Sequence, residues 1–95
     1  MAFQWDPDKA RINLAKYGVS FEVAEHVWHD PLHVIVPDRF ENGEQRWHAI
    51  GVVGPVTVLL VVHTYPDSAN DDEIRIIGAR KATAQERRRY EQQIS

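Results

Sequence analysis

The hydrophobic pattern changes period once, at His33, and that switch constrains the fold more than any other feature of the chain. Upstream, apolar residues recur at helical spacing; downstream, they form β-branched runs with a period of two. Helices therefore lead and strands follow, which predicts an α+β domain.

The boundaries carry their own chemistry. Asp6 can accept from free helix amides, Pro7 has its φ preset, and Gly18 suits a left-handed C-cap, so the first helix is expected over residues 7–17. Ser20 then caps a shorter second helix in which Phe21, Ala24, Val27 and Trp28 form the apolar stripe, ended by Asp30-Pro31. Residues 33–37 read as an edge strand with Pro37 near its end, and Asn42-Gly43 as a hairpin turn into residues 46–53. Gly54-Pro55 marks the next turn, and residues 56–64 form the most apolar and most central strand. A polar loop precedes the strand 73–79. Thr83 with Glu86 makes a capping box that opens a last helix over 83–93. The predicted order is ααββββα: two N-terminal helices, a four-stranded antiparallel meander and a C-terminal helix, in a single domain spanning 1–95.

With no cysteine among 95 residues, disulfides, thiolate metal sites and cysteine nucleophiles are excluded. The longest apolar run, residues 56–62, is too short to cross a bilayer, and the N-terminus reaches Asp6 and Asp8 before any basic residue. A cytoplasmic protein without membrane partners is expected.

The net charge of −3 argues against a nucleic-acid partner until it is resolved by position. Residues 1–45 carry four basic and eight acidic groups, whereas Arg75, Arg80, Lys81, Arg87, Arg88 and Arg89 face only Glu86 in residues 75–90. Asp67, Asp71, Asp72 and Glu73 form an acidic run just before that basic segment. The arginine run is either a solvated helix face or an anion-binding surface.

A two-residue turn at Gly54-Pro55 sets Val53 opposite Val56, Arg46 opposite His63 and His48 opposite Val61, so Arg46, His48 and His63 share a face. The last strand adds Arg80 in one register and Arg75 in the other. Three readings compete for this cluster. The arginines pair with carboxylates such as Glu44 or Glu73 while the histidines sit at strand ends. Alternatively, the chain binds metal, using His26, His29 and His33, although Pro31 interrupts their helix and no third ligand is placed. In the third reading the guanidiniums hold a phosphodiester and a histidine moves protons. No serine triad context, nucleophile elbow or Gly-rich phosphate loop is present. An RNA substrate needs none of them, because its ribose 2′-hydroxyl can attack the adjacent phosphate. Arg80 and Arg46 are then the phosphate ligands, and His63 or His48 the proton-transfer residue. Trp28 and Trp47 are read as core, not as base-stacking platforms.

The opening Phe3-Gln4-Trp5-Asp6-Pro7-Asp8-Lys9-Ala10, the block Asn13-Leu14-Ala15-Lys16-Tyr17-Gly18-Val19-Ser20-Phe21, Arg46-Trp47-His48-Ala49-Ile50-Gly51, Val61-Val62-His63-Thr64 and the run from Ile74 through Arg80-Lys81-Ala82-Thr83 to Tyr90-Glu91 together resemble the BrnT toxins. The resemblance implies a RelE-like fold and a ribonuclease that inhibits translation as the toxin half of a bacterial type II toxin–antitoxin pair. It implies as partner a BrnA-like ribbon-helix-helix antitoxin, which contacts operator DNA itself. Arg46, His48, His63, Arg75 and Arg80 become the catalytic candidates, with Lys16 and Tyr90 secondary. Lys16, Lys81, Arg87, Arg88 and Tyr90 are the expected RNA contacts; neither metal nor cofactor is expected. The competing function is a non-catalytic module whose basic C-terminal region docks on an acidic partner or nucleic acid.

Overall fold

A computed structural model describes residues 1–94. Its elements run β1 (Ala2–Gln4), α1 (Pro7–Tyr17), α2 (Phe21–Ala24) with a 3-10 continuation (Glu25–His29), β2 (Val34–Glu41), β3 (Glu44–Val53), β4 (Thr57–Thr64), β5 (Glu73–Lys81) and α3 (Ala84–Ile94). The sheet order is β1-β5-β4-β3-β2, with β1 parallel to β5 and the other pairs antiparallel.

The first helix lies where its caps put it. Asp6 accepts from the Asp8 amide at 2.8 Å, and Gly18, at φ 72°, returns its own amide to Leu14 at 2.9 Å. One face of α1 holds a single buried residue, Asn13. Its amide nitrogen donates to the carbonyls of Val19 and Ala79, and its oxygen accepts from the Ala79 amide, so α1 is fastened to the free edge of β5 beyond β1.

Two expectations are corrected here. The second helix is only one α turn, capped by Ser20 on the Val23 amide at 3.1 Å, and it tightens at once into 3-10 geometry. Because 3-10 side chains align at i and i+3, this tightening stacks Ala24 with Val27 toward the sheet and leaves His26 and His29 exposed outside. The sheet has five strands and is mixed. β1 was not predicted because three residues are too few to show a period; it is held by the Ala2 amide on the Asp72 carbonyl at 2.7 Å and by Phe3 packed edge-on against Trp28. The RelE-like arrangement of two helices over four antiparallel strands is therefore not the one found.

Turn chemistry decides which side chains meet. Asn42 (φ 53°) and Gly43 (φ 76°) make the expected two-residue hairpin. The next turn spans three residues, Gly54 to Val56, with Gly54 at φ 70°, so Val53 pairs with Thr57 and the register moves by one. Trp47 now pairs with His63, and His48 with Val62. Because strand side chains alternate, a slip of one sends His63 to the opposite face from His48.

The two faces differ. One carries Phe21, Ala24, Val27, Trp28, Ala49, Leu59, Val61, Ile74 and Ile76 in a continuous core beneath α2 and the 3-10 segment. The other has a smaller cluster, Ile50, Val58, Leu60 and Tyr90, where α3 crosses the sheet and covers part of it. Among the described residues no helix is long and apolar enough to cross a membrane.

Candidate functional site

On the partly covered face, β3 presents Arg46 and His48, and β5 presents Arg80 opposite Leu60. Each is already paired. Arg46 donates to Glu41 at 2.8 Å, and His48 Nε2 lies 3.2 Å from Asp38 Oδ2. Arg80 grips Glu86 with two bonds of 2.7 and 3.0 Å. The guanidinium holds the Glu86 carboxyl down at about 2, and Glu86 in turn raises Arg80 above its usual value. Glu86 also closes the expected capping box, accepting from the Thr83 amide at 2.9 Å while its own amide donates to Thr83 Oγ1 at 3.2 Å.

His48 and Asp38 stand between two hollows. One, of about 870 Å³, runs between β2 and α3 and is lined by Val36, Asp38, His48, Glu86, Arg88 and Arg89. The other, of about 400 Å³, lies toward β5 and α1 and is lined by Tyr17, Arg39, Arg46, His48 and Arg80. An anion laid across this face meets guanidiniums on both sides of an imidazole that remains 23% exposed. Such an arrangement can bind a phosphodiester and exchange protons with a hydroxyl held beside it.

Other predicted residues fall elsewhere. Arg75 shares the face nearer the strand end, 3.7 Å from Glu44, and is exposed. Thr64, its partner on β4, is fully buried, and its hydroxyl has no hydrogen-bond partner among the described residues. Lys16 is exposed at the end of α1, its ammonium 5.1 Å from the Tyr17 ring centre. Lys81 borders an apolar hollow with Leu14 and Val23 on the helical face. Arg87 is exposed on α3. Tyr90 is buried, and its phenol donates to Asp30 Oδ2 at 2.5 Å. Desolvation, then Asp30 as hydrogen-bond partner and as charge, push that phenol up to about 12.

His63 leaves the cluster because of the register. It is fully buried beneath Trp28, with ring centres 5.0 Å apart. Since the Val61 carbonyl only accepts, Nδ1 at 3.3 Å carries the proton and Nε2 accepts from the Tyr65 hydroxyl at 3.2 Å. Burial pulls its pKa down to about 4, so the ring is neutral.

Two carboxylates were missed. Asp38 has no sequence signal beyond its place after Pro37, because only pairing brings it to His48. Asp30 was read as a helix stop, and its main role is tertiary. It accepts from Tyr90, from the Val52 amide at 2.8 Å and from the Leu32 amide at 2.9 Å, joining the 3-10 segment to β3 and α3. Desolvation raises its pKa, but these bonds and nearby His33 outweigh it and hold the carboxyl below its ordinary value. The His26 and His29 rings meet at 5.0 Å, while His33 Nδ1 bonds the Asp30 carbonyl at 2.7 Å. Among the described residues no group of three His, Asp or Glu is arranged to hold a metal ion.

The sequence model of a family described as the ribonuclease toxin BrnT of type II toxin–antitoxin systems matches residues 5–86. Among solved structures, the crystal structure of the Brucella abortus ribonuclease toxin BrnT aligns with a TM-score of 0.66, covering 87% of this chain and 97% of that one at 24% identity. That likeness is one of fold. No curated protein sequence matches the chain.

Proposed function

The chain belongs to the BrnT family of ribonuclease toxins of type II toxin–antitoxin systems, and from that premise we propose that RNA is cleaved on the sheet face bearing Arg46, His48 and Arg80. RNA as substrate and an antitoxin as partner follow from the family. The reaction needs no metal: the 2′-hydroxyl attacks the adjacent phosphorus, His48 takes its proton, the P–O5′ bond breaks as the departing 5′-oxygen takes a proton from water, and Arg46 and Arg80 stabilise the charge that develops on the phosphoryl oxygens. Arg88 and Arg89 lead the strand through the hollow beneath α3, with Arg87 at its outer edge. Arg75 extends the basic track along β5. Lys16 and Lys81 make peripheral contacts, and Tyr90 acts through the position of α3. We assign proton transfer to His48 in preference to His63, which is buried on the other face.

One observation carries this reading: a partly exposed imidazole flanked by guanidiniums in a grooved face. In a bacterial cytoplasm such cleavage inhibits translation, and the antitoxin that silences it is of the BrnA-like ribbon-helix-helix type, binding operator DNA itself. The decisive experiment incubates the purified chain with RNA in excess EDTA. Products ending in 2′,3′-cyclic phosphate, lost in His48→Ala and Arg80→Ala, are expected. Cleavage that requires Mg²⁺ overturns the mechanism.

The carboxylates on Arg46, Arg75 and Arg80 favour a second reading, in which those arginines only stabilise the fold and the basic segment docks on a partner. No RNA product at any protein concentration would establish it.

A further inference from the structure

We infer that Asp38 is a positioning residue for His48, placed there by a β-bulge that Gln45 pins. This rests on the reading of the face as the site of RNA cleavage.

The register of β2 on β3 is regular from Val34↔Ile50 to Pro37↔Trp47, then resumes one residue out at Phe40↔Gln45. Asp38 and Arg39 thus both stand opposite Arg46. A bulge of this kind places an extra residue on one strand and redirects the side chains beside it. Without it, β2 would send one of these two side chains to the face of Arg46 and His48; with it, both line the hollow there. The bulge also leaves carbonyls without ladder partners. Gln45 bridges the bulge from β3, its amide nitrogen donating to the Asp38 carbonyl at 3.0 Å and to the Arg46 carbonyl of its own strand at 2.9 Å.

Pinned in this way, the Asp38 carboxylate sits 3.2 Å from His48 Nε2. The contact is an ion pair, and a carboxylate this close repels a ring lone pair, which favours the proton on Nε2 and leaves Nδ1 as the free base. The ring orientation and the tautomer are both set by Asp38, and the imidazolium formed after proton uptake keeps a counter-charge. Asp38 touches no reacting atom. Its contribution passes through His48.

The test combines steady-state cleavage of a short single-stranded RNA with ring ¹⁵N spectra of the intact, histidine-labelled chain. Asp38→Asn is expected to lower kcat about 10- to 100-fold while KM moves less than about twofold, and to turn the His48 ring from the Nε2–H form into a mixture. Asp38→Glu restores part of the rate. Gln45→Ala shifts both readouts the same way by a smaller factor, with the thermal melt reporting any loss of fold. A His48 ring signature and kcat unchanged in Asp38→Asn overturn the inference. If the wild-type chain leaves RNA intact, the cleavage reading fails by itself, and the ring spectra still decide whether Asp38 sets His48.

Discussion

His48 and His63 lie on adjacent strands of one sheet, yet the two faces give them opposite chemistry. His63 is sealed among Trp28, Tyr65 and the Val61 carbonyl, and burial leaves it neutral. His48 stands in an open groove with a carboxylate on one nitrogen and guanidiniums on either side. Coverage makes the difference. The helical face is closed by α2 and the 3-10 segment along its length, whereas α3 crosses the other face and stops short of β2. A histidine on the closed face contributes packing; one on the open face can exchange protons with a ligand.

Substituting each histidine tests that division most severely. His48→Ala is expected to lower the rate of RNA cleavage by about 10²- to 10⁴-fold at an unchanged melting temperature. His63→Ala is expected to cost about 2–4 kcal/mol of stability in a urea titration, because it leaves a cavity beneath Trp28 and frees the Tyr65 hydroxyl. A His63→Ala chain that melts like wild type but cleaves nothing would reverse the assignment.

Acid gives the next largest effect. The unfolded chain protonates His63 near 6.5, while the folded one resists until about 4. The stabilisation from the neutral ring is therefore complete above pH 6.5 and is lost as pH falls toward 4, on the order of 3 kcal/mol in all. Glu86, held at about 2, and Asp30, held below its ordinary value, add their own losses as pH falls through the ordinary carboxyl values of 4.5 and 3.8. Urea midpoints between pH 7 and 5 should slope in wild type and lie nearly flat in His63→Ala.

Tyr90→Phe probes the tie between the faces. It removes the phenol that Asp30 accepts from, and the expected loss is about 1–2 kcal/mol with RNA cleavage retained. The smallest effect belongs to Arg75→Ala: an exposed pair at 3.7 Å leaves the melting curve within about 0.5 kcal/mol of wild type.

Local chemistry was legible wherever a residue acts on its own neighbourhood. Asp6, Pro7 and Gly18 bounded α1, Asn42-Gly43 turned its hairpin, and Thr83 with Glu86 opened α3. Register was less so, because Gly54-Pro55-Val56 admits a two- or a three-residue loop, and one residue exchanges the faces of every side chain on the paired strand. That is why His63 is expected beside Arg46 and His48 but lies on the other face, and why Arg80 and Arg75, expected as alternatives, both stand on the face of Arg46 across the irregularity at Val62/His63. The carboxylates that hold the site were hidden for a different reason. Asp38 depends on a bulge in β2, and Asp30 accepts from Val52 and Tyr90, groups remote in sequence.

The pairing of β1 with β5 also bears on the time at which this protein exists. The first strand to leave the ribosome has its ladder partner at Glu73 to Arg75, and Asn13 waits for Ala79. Neither contact can form until most of the chain has been made, and contacts this distant in sequence also make for slow folding. Arg80 and Glu86 arrive in that same last segment. An unfinished chain thus has neither a closed sheet nor an assembled groove, so whatever this face does waits until the last segment has been made.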